Sequence, residues 1–175
     1  MDKFIEESVK LMKDNRNYIK EVYNWIDIGG TINEIMEGNF KVKNKYDNEF
    51  VKAASKTINT LSEMMRKLRI ENHIVYRRFC GSFNTLKKGY VLDASKRFTS
   101  TTIDLNSIPD EFGSCIMEIH INNTNAYYIS AYDILFLNPE TSECEVLLPP
   151  GKFIFDRQNE NNYYIFCFYP IDILQ

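Results

Sequence analysis

The chain changes its hydrophobic period once, near residue 70, and that change limits what it can fold into. Before it, apolar residues recur three and four apart: Phe4, Ile5, Val9, Leu11 and Met12, then Tyr18, Ile19, Val22, Tyr23 and Ile26. After a break come Val51, Ala54, Ile58, Leu61, Met65 and Leu68. Such spacing gives each helix one apolar stripe. Gly29-Gly30 reads as a stop, and Thr31 with Glu34 as a capping box for a short helix that closes at Gly38. Beyond residue 70, short runs of β-branched and aromatic residues fill 73–80, 90–92, 97–102, 115–121, 126–129, 145–148, 153–155 and 163–169. Asn122–Asn125 and Asn159–Asn162 read as turns between them. Helices followed by strands, rather than alternating with them, predict an α+β domain. The expectation is one domain over 1–175, helical over 1–70 and β-rich over 71–175.

Composition excludes several classes. A net charge of −3 provides no whole-molecule field for nucleic acid or anionic lipid, although a local basic patch fits within that balance. Cys80, Cys115, Cys144 and Cys167 are widely spaced, and only His73 and His120 accompany them, which argues against a metal site. The four are expected to be free, mostly buried thiols of a cytoplasmic protein. The start, Met1-Asp2-Lys3-Phe4-Ile5-Glu6-Glu7, is too acidic for a secretory signal, and no run approaches the ~20 apolar residues of a membrane span. No Gly-rich phosphate loop, dinucleotide fingerprint or Gly-x-Ser-x-Gly elbow is present. Both histidines lie in apolar strands and read as structural.

Three stretches carry polar groups where strands ordinarily carry none. Glu143 and Glu145 precede the apolar run Val146-Leu147-Leu148 and a Pro149-Pro150-Gly151 turn. On a strand, residues two apart share a face, so the two carboxylates are expected side by side, at a solvated strand end or in a site. Arg77 and Arg78 interrupt an apolar strand, so one of them must point inward, toward a structural carboxylate or toward an anionic ligand. Phe98-Thr99-Ser100-Thr101-Thr102 is either an edge strand or a row of hydroxyls supporting a buried carboxylate.

In order, these stretches resemble the motifs of mono-ADP-ribosyltransferases of the arginine–serine–glutamate class, found among bacterial toxins, phage proteins and animal ecto-enzymes. Val75-Tyr76-Arg77-Arg78 through Gly81 resembles the first motif. Lys88 to Asp93 followed by Phe98 to Thr102 resembles the second, and Ala126 to Ile129 followed by Glu143 to Gly151 the third. The segment from Tyr23 to Gly38 resembles the helical lead-in to these domains, so the likeness runs from Tyr18 to Phe155. Three departures stand out: Thr102 replaces a serine, Asn125 replaces a glycine, and the loop Phe136–Ser142 before the glutamates is longer. The last bears on acceptor choice more than on NAD binding.

The resemblance implies a mostly antiparallel two-sheet core behind the helices, and an enzyme that breaks the nicotinamide–ribose bond of NAD and transfers ADP-ribose. It gives Glu145 the charge that develops on the ribose, Arg77 a phosphate of NAD with Arg78 assisting, and Ser100 with Thr102 the orientation of Glu145. Phe112 is the candidate to stack on nicotinamide, and Phe136 to meet the target surface. Glu143 goes with an arginine acceptor, most simply on a protein, with nucleic acid left open as acceptor. A monomer needing no metal is expected, in the cytoplasm of its own or of a recipient cell. A NAD glycohydrolase and an inactive binding module are the alternatives on the same scaffold.

Overall fold

The computed structural model describes residues 1–80, 85–137 and 142–171. Gly81 of the first motif and residues 138–141 of the longer loop lie outside the described residues. Three helices come first: α1 (Asp2–Lys13), α2 (Arg16–Met36) and α3 (Lys45–Arg66). The strands follow as β1 (Arg69–Ile70), β2 (His73–Phe79), β3 (Val91–Ala94), β4 (Thr99–Thr102), β5 (Cys115–Ile121), β6 (Thr124–Asn125) and β7 (Tyr127–Tyr128). Helix α4 (Ala131–Phe136) precedes β8 (Glu145–Leu148), β9 (Gly151–Gln158) and β10 (Tyr164–Pro170). Two 3-10 turns, Leu105–Ser107 and Asp110–Phe112, lie between β4 and β5.

Eight strands run in the order β3-β9-β10-β5-β2-β4-β8-β7, and β1 pairs with β6 apart from them. Every pairing is antiparallel except β10 with β5. The link between β2 and β4 is the single pair Tyr76–Thr102, whereas β2 and β5 pair along all of His73–Phe79. The ladder therefore falls into a five-stranded part ending at β2 and a three-stranded part beginning at β4. This is the two-sheet core that the resemblance implies. Helices α1 and α3 pack on β7, and α1 and α2 pack on α4. Leu147, Phe98, Ile119, Phe166 and Tyr127 are wholly enclosed between these layers. At ~25 cal/mol per Å² of apolar surface, each such side chain contributes about 1.5–3 kcal/mol to holding them together.

Four local expectations need correction. The break expected at Gly29-Gly30 falls one residue earlier: Ile28 is non-helical (φ −132°, ψ 23°) and divides α2 into two helical runs, the second reaching Met36. Thr31 therefore lies inside a helix and caps nothing. Glycine is tolerated there because the helix packs closely: a Cβ on Gly29 would lie 3.1 Å from the Trp25 indole. The end at Gly38 is as expected. Gly38 adopts φ 75°, and the Asn39 and Gly38 N–H groups donate to the Glu34 and Ile35 carbonyls at 2.8 and 3.1 Å. Second, α3 begins earlier than its apolar stripe, at a capping box in which the Asn44 side chain accepts from the Tyr46 and Asp47 N–H groups and Asp47 returns the bond. Third, Thr124–Asn125, read as part of a turn, pair with β1 as β6, and α4 occupies a stretch too short to show a helical period. Finally, no cysteine is buried: Cys80 is exposed and the other three are half-buried, and none is in a disulfide.

Asn125, which stands in place of a glycine, caps a helix from a distance. Its side-chain amide donates to the carbonyls of Met65 (3.2 Å) and Leu68 (3.0 Å), closing the C-terminal end of α3. Among the described residues no helix is long and apolar enough to cross a membrane.

Gly151 opens β9 beneath a tilted aromatic pair, Phe153–Phe168, with centroids 4.8 Å apart. A Cβ there would overlap the Phe168 ring and lie 2.7 Å from the Tyr169 carbonyl oxygen. Gly151→Ala is expected to lower stability by about 1–3 kcal/mol, read as a drop in thermal midpoint with the far-ultraviolet spectrum unchanged.

Candidate active site

Where the two halves of the ladder meet, they leave a cleft of about 600 Å³. Arg77, Arg78, Ser100, Thr102, Phe112, Glu143 and Glu145 all line it. Residues far apart in sequence thus converge because β2, β4 and β8 are consecutive in the ladder, with Ser100 opposite Leu147 and Thr102 opposite Glu145.

Glu145 is the first residue of β8, and the three that follow are completely buried. Its Oε1 accepts from Ser100 Oγ at 2.6 Å and from Trp25 Nε1 at 3.2 Å. Its backbone N–H donates to Ser130 Oγ at 2.8 Å. Among the described residues nothing bonds Oε2. Burial pushes the Glu145 carboxyl above the usual range for glutamate; the Ser100 and Trp25 bonds oppose this, and the charges of Glu143 and Asp133 add to it. Desolvation outweighs the two bonds, so the cleft holds the carboxylate in place without making it easy to ionise.

Glu143 is exposed and reaches the cleft by another route than strand alternation. β8 begins only at Glu145, and Cys144 between the two glutamates takes φ 50°, a left-handed turn rather than extended chain. That conformation costs a non-glycine residue about 1 kcal/mol or more, and the turn is pinned on several sides. Thr102 Oγ1 and Ser107 Oγ donate to the Glu143 carbonyl, each at 2.7 Å, and the Cys144 N–H donates to Ser142 Oγ at 3.1 Å. The Ile103 N–H donates to the Cys144 carbonyl at 3.2 Å. Thr102 is only 2% exposed and acts on this turn's backbone, not on the Glu145 carboxylate as the resemblance implies. A hydroxyl with one proton, already aimed at backbone carbonyls, has none to give the carboxylate. Of the hydroxyl pair, only Ser100 holds Glu145.

The two arginines differ. Arg77 donates to the Ser100 carbonyl at 2.6 Å, and burial lowers its pKa, as does the nearby Arg97 charge. Arg78 forms an ion pair with Asp110 at 2.8 Å, yet Asp110 is 92% exposed, and the buried Arg78 Nε has no partner among the described residues. A buried, unbonded guanidinium N–H costs about 1–3 kcal/mol or more, so Arg78 is not fully satisfied by the structural ion pair alone. Phe112 stands at the cleft with half of its surface open. Phe136 is exposed and belongs to the last turn of α4 rather than to a loop. Among the described residues no cluster of three His, Cys, Asp or Glu side chains is placed to hold a metal ion.

Several cleft residues escape the sequence reading. Trp25 stacks edge-on against Phe98, with centroids 5.7 Å apart, while its N–H reaches Glu145. Asn33 brackets Phe98, donating to its carbonyl at 3.2 Å and accepting its N–H at 3.0 Å, which fixes where β4 starts. Ser130 and Asp133 come from α4 and its lead-in, and Arg97 from the β3–β4 turn. The one signal available for Trp25 was its singularity, the only tryptophan in the chain and four residues before a glycine.

Trp25→Phe should keep the edge-on packing and remove the indole donor, and Ser100→Ala removes the other donor. Each is expected to raise the pH at which Glu145 titrates, followed by carboxyl carbon NMR. A carboxyl whose folded pKa is raised holds its proton better in the folded state, so its stabilising contribution is complete below the unfolded pKa and is lost as pH rises through the folded one. Glu145→Gln should accordingly raise the thermal midpoint at neutral pH, with the gain vanishing in acid below the unfolded glutamate range.

No family model and no curated protein matches the sequence. Solved structures do share its fold. Vis toxin, an ADP-ribosyltransferase from Vibrio splendidus, superposes with a TM-score of 0.63 over 99% of this chain and 87% of that one, at 18% identity. The ADP-ribosylating toxin BECa of a C. perfringens binary enterotoxin gives a TM-score of 0.67 over 95% of this chain and 46% of its own, at 19% identity. Exoenzyme S from Pseudomonas aeruginosa gives 0.59 over 88% and 73%, at 12% identity. Its helices and mixed, mostly antiparallel ladder match the α+β ADP-ribosyltransferase fold of these structures.

Proposed function

We propose that this protein is an NAD-dependent mono-ADP-ribosyltransferase that modifies arginine side chains, most simply those of another protein. The reading rests on the bond of Ser100 Oγ to Glu145 Oε1 at 2.6 Å, inside a cleft that also receives two guanidinium groups from β2. BECa has been solved with NADH, exoenzyme S with carba-NAD and Vis with agmatine, a guanidine. Those ligands belong to those proteins; the arrangement of this cleft suits the same chemistry.

In this reading NAD is the substrate. Arg78, with an unbonded buried Nε, and Arg77 receive its phosphate oxygens, for which a planar donor fork is well matched. Phe112 offers a half-exposed ring to nicotinamide. As the nicotinamide–ribose bond breaks, its electron pair leaves with nicotinamide and positive charge grows on the ribose. Glu145, held by Ser100 and Trp25 with Oε2 unbonded, opposes that charge from a fixed position and has no reorganisation to make at that moment. A guanidinium is a poor nucleophile until it gives up a proton. Glu143, exposed at the cleft on a rigid turn, pairs with the guanidinium and takes that proton as the new nitrogen–ribose bond forms.

The test is incubation with labelled NAD and a cell lysate. Wild type should label protein, and Glu145→Ala should abolish both labelling and nicotinamide release, a loss of at least a hundredfold. Glu143→Gln should lose arginine labelling yet still release nicotinamide. A folded, NAD-binding wild type that neither labels nor releases nicotinamide would sink the enzymatic reading; release without labelling would make the protein a glycohydrolase. Because Glu145 must be ionised and its pKa is raised, the acid limb of the pH–rate profile should lie above the ordinary glutamate range.

A further inference from the structure

Asp133, on the first turn of α4, lines the same cleft as Glu143 and Glu145, yet none of the three motifs contains it. It is half-buried, and its Oδ2 accepts from Ser142 Oγ at 2.9 Å. The same Ser142 Oγ accepts the Cys144 N–H at 3.1 Å, so the chain Asp133–Ser142–Cys144 ties α4 to the left-handed turn that carries Glu143. The other bonds on that turn come from Thr102, Ser107, Ile103, Ser130 and the Tyr128 side chain. Only Oδ2 is used in this way; among the described residues Oδ1 has no partner. Asp133 is also near enough for its charge to oppose ionisation of Glu145. The first turn of α4 suits an acid through the helix dipole, but two like charges set around the Glu145 carboxylate are a cost that the helix dipole alone does not require. Ser142 would bond an asparagine equally well, because an amide oxygen accepts as a carboxylate does.

We infer that Asp133 is a specificity-determining residue, a second carboxylate that holds the cationic acceptor against Glu143. A guanidinium has five N–H donors in one plane and can be gripped along two edges at once. Glu143 takes the edge that loses its proton. Asp133, locked by Ser142 and presenting Oδ1, takes another and keeps the acceptor cationic until it is seated. The inference rests on the transferase reading and extends it: the cleft selects acceptors by positive charge, and the residue doing so comes from α4, outside the glutamate strand.

Agmatine serves as a small acceptor free of any protein surface. With labelled NAD, transfer to agmatine and release of nicotinamide into water are measured for wild type, Asp133→Asn, Asp133→Glu and Ser142→Ala. Asp133→Asn should keep the Ser142 bond and raise the KM for agmatine about tenfold, the scale of one charge-assisted hydrogen bond. It should lower transfer about tenfold more than it lowers release into water. Asp133→Glu should recover part of the agmatine affinity, which a purely structural role of the aspartate would not give. Ser142→Ala should act chiefly on kcat for transfer, by loosening the turn. An unchanged KM for agmatine in Asp133→Asn, or parallel losses in transfer and release, overturns the inference. Failure of wild type itself to modify agmatine overturns the arginine-directed reading, a result separate from any variant.

Discussion

Everything at the cleft depends on keeping an ionisable carboxylate at the first residue of a fully buried strand. Val146, Leu147 and Leu148 fix β8 in the core, which leaves Glu145 no freedom to withdraw into water. The cost appears as a raised pKa, and it is contained by two donors from opposite sides of the cleft, the Ser100 hydroxyl and the Trp25 indole. Both donors are themselves immobilised. Ser100 sits in β4, paired along its length with β8, and Trp25 is wedged between Phe98 and the bare backbone of Gly29. A carboxylate restrained in this way is preorganised, at some cost in fold stability.

The single residue pair joining β2 to β4 explains why there is a cleft at all. Had the two strands paired over their whole lengths, the arginines of β2 would lie flat against the hydroxyls of β4. Instead the ladder opens after Tyr76–Thr102, and Arg77, Arg78 and Phe112 face Ser100 and Glu145 across the gap. Arg77 closes the nearest point by donating to the Ser100 carbonyl, so the strand that orients the carboxylate also holds the cation. Guanidinium groups therefore come from β2 and the β3–β4 turn, and carboxylates from β8, its leading turn and α4. The cleft thus has one cationic wall and one anionic wall.

The turn at Glu143 shows how the fold separates two glutamates that stand two residues apart. A left-handed Cys144 breaks the extended chain and carries Glu143 out to solvent while Glu145 stays half-buried at the head of β8. Thr102, Ser107, Ser130 and Ser142 supply hydroxyls to the backbone around that break, offsetting the strain with ordinary hydrogen bonds. The hydroxyl-rich strand thus divides its donors, with Ser100 serving a side chain and Thr102 serving a backbone. A threonine suits the backbone role because its methyl packs in a site that is almost closed.

By itself the sequence determined the fold class, because one change of hydrophobic period near residue 70 separates helices from strands. Through the resemblance of its motifs to a known family, and not by polarity alone, it also marked Arg77, Arg78, Ser100, Glu143 and Glu145, each of which lines the cleft. Strands β5 and β8 were legible to the residue, since alternation and apolar density are local properties. What stayed hidden depends on contacts between separate segments. The Gly29-Gly30 pair marks a helix break that falls at Ile28, but not that Trp25 packs against the bare Gly29, and α4 is too short to display a period. The roles of Thr102, Asn125 and Trp25 follow from partners 41, 60 and 120 residues away, namely Glu143, Met65 and Glu145. The Asp133 side chain likewise meets Ser142, nine residues on, which no local pattern foretells. Only the tertiary structure decided those, because a hydrogen bond is set by position in space, and local pattern carries no record of which donor a fold will bring to which acceptor.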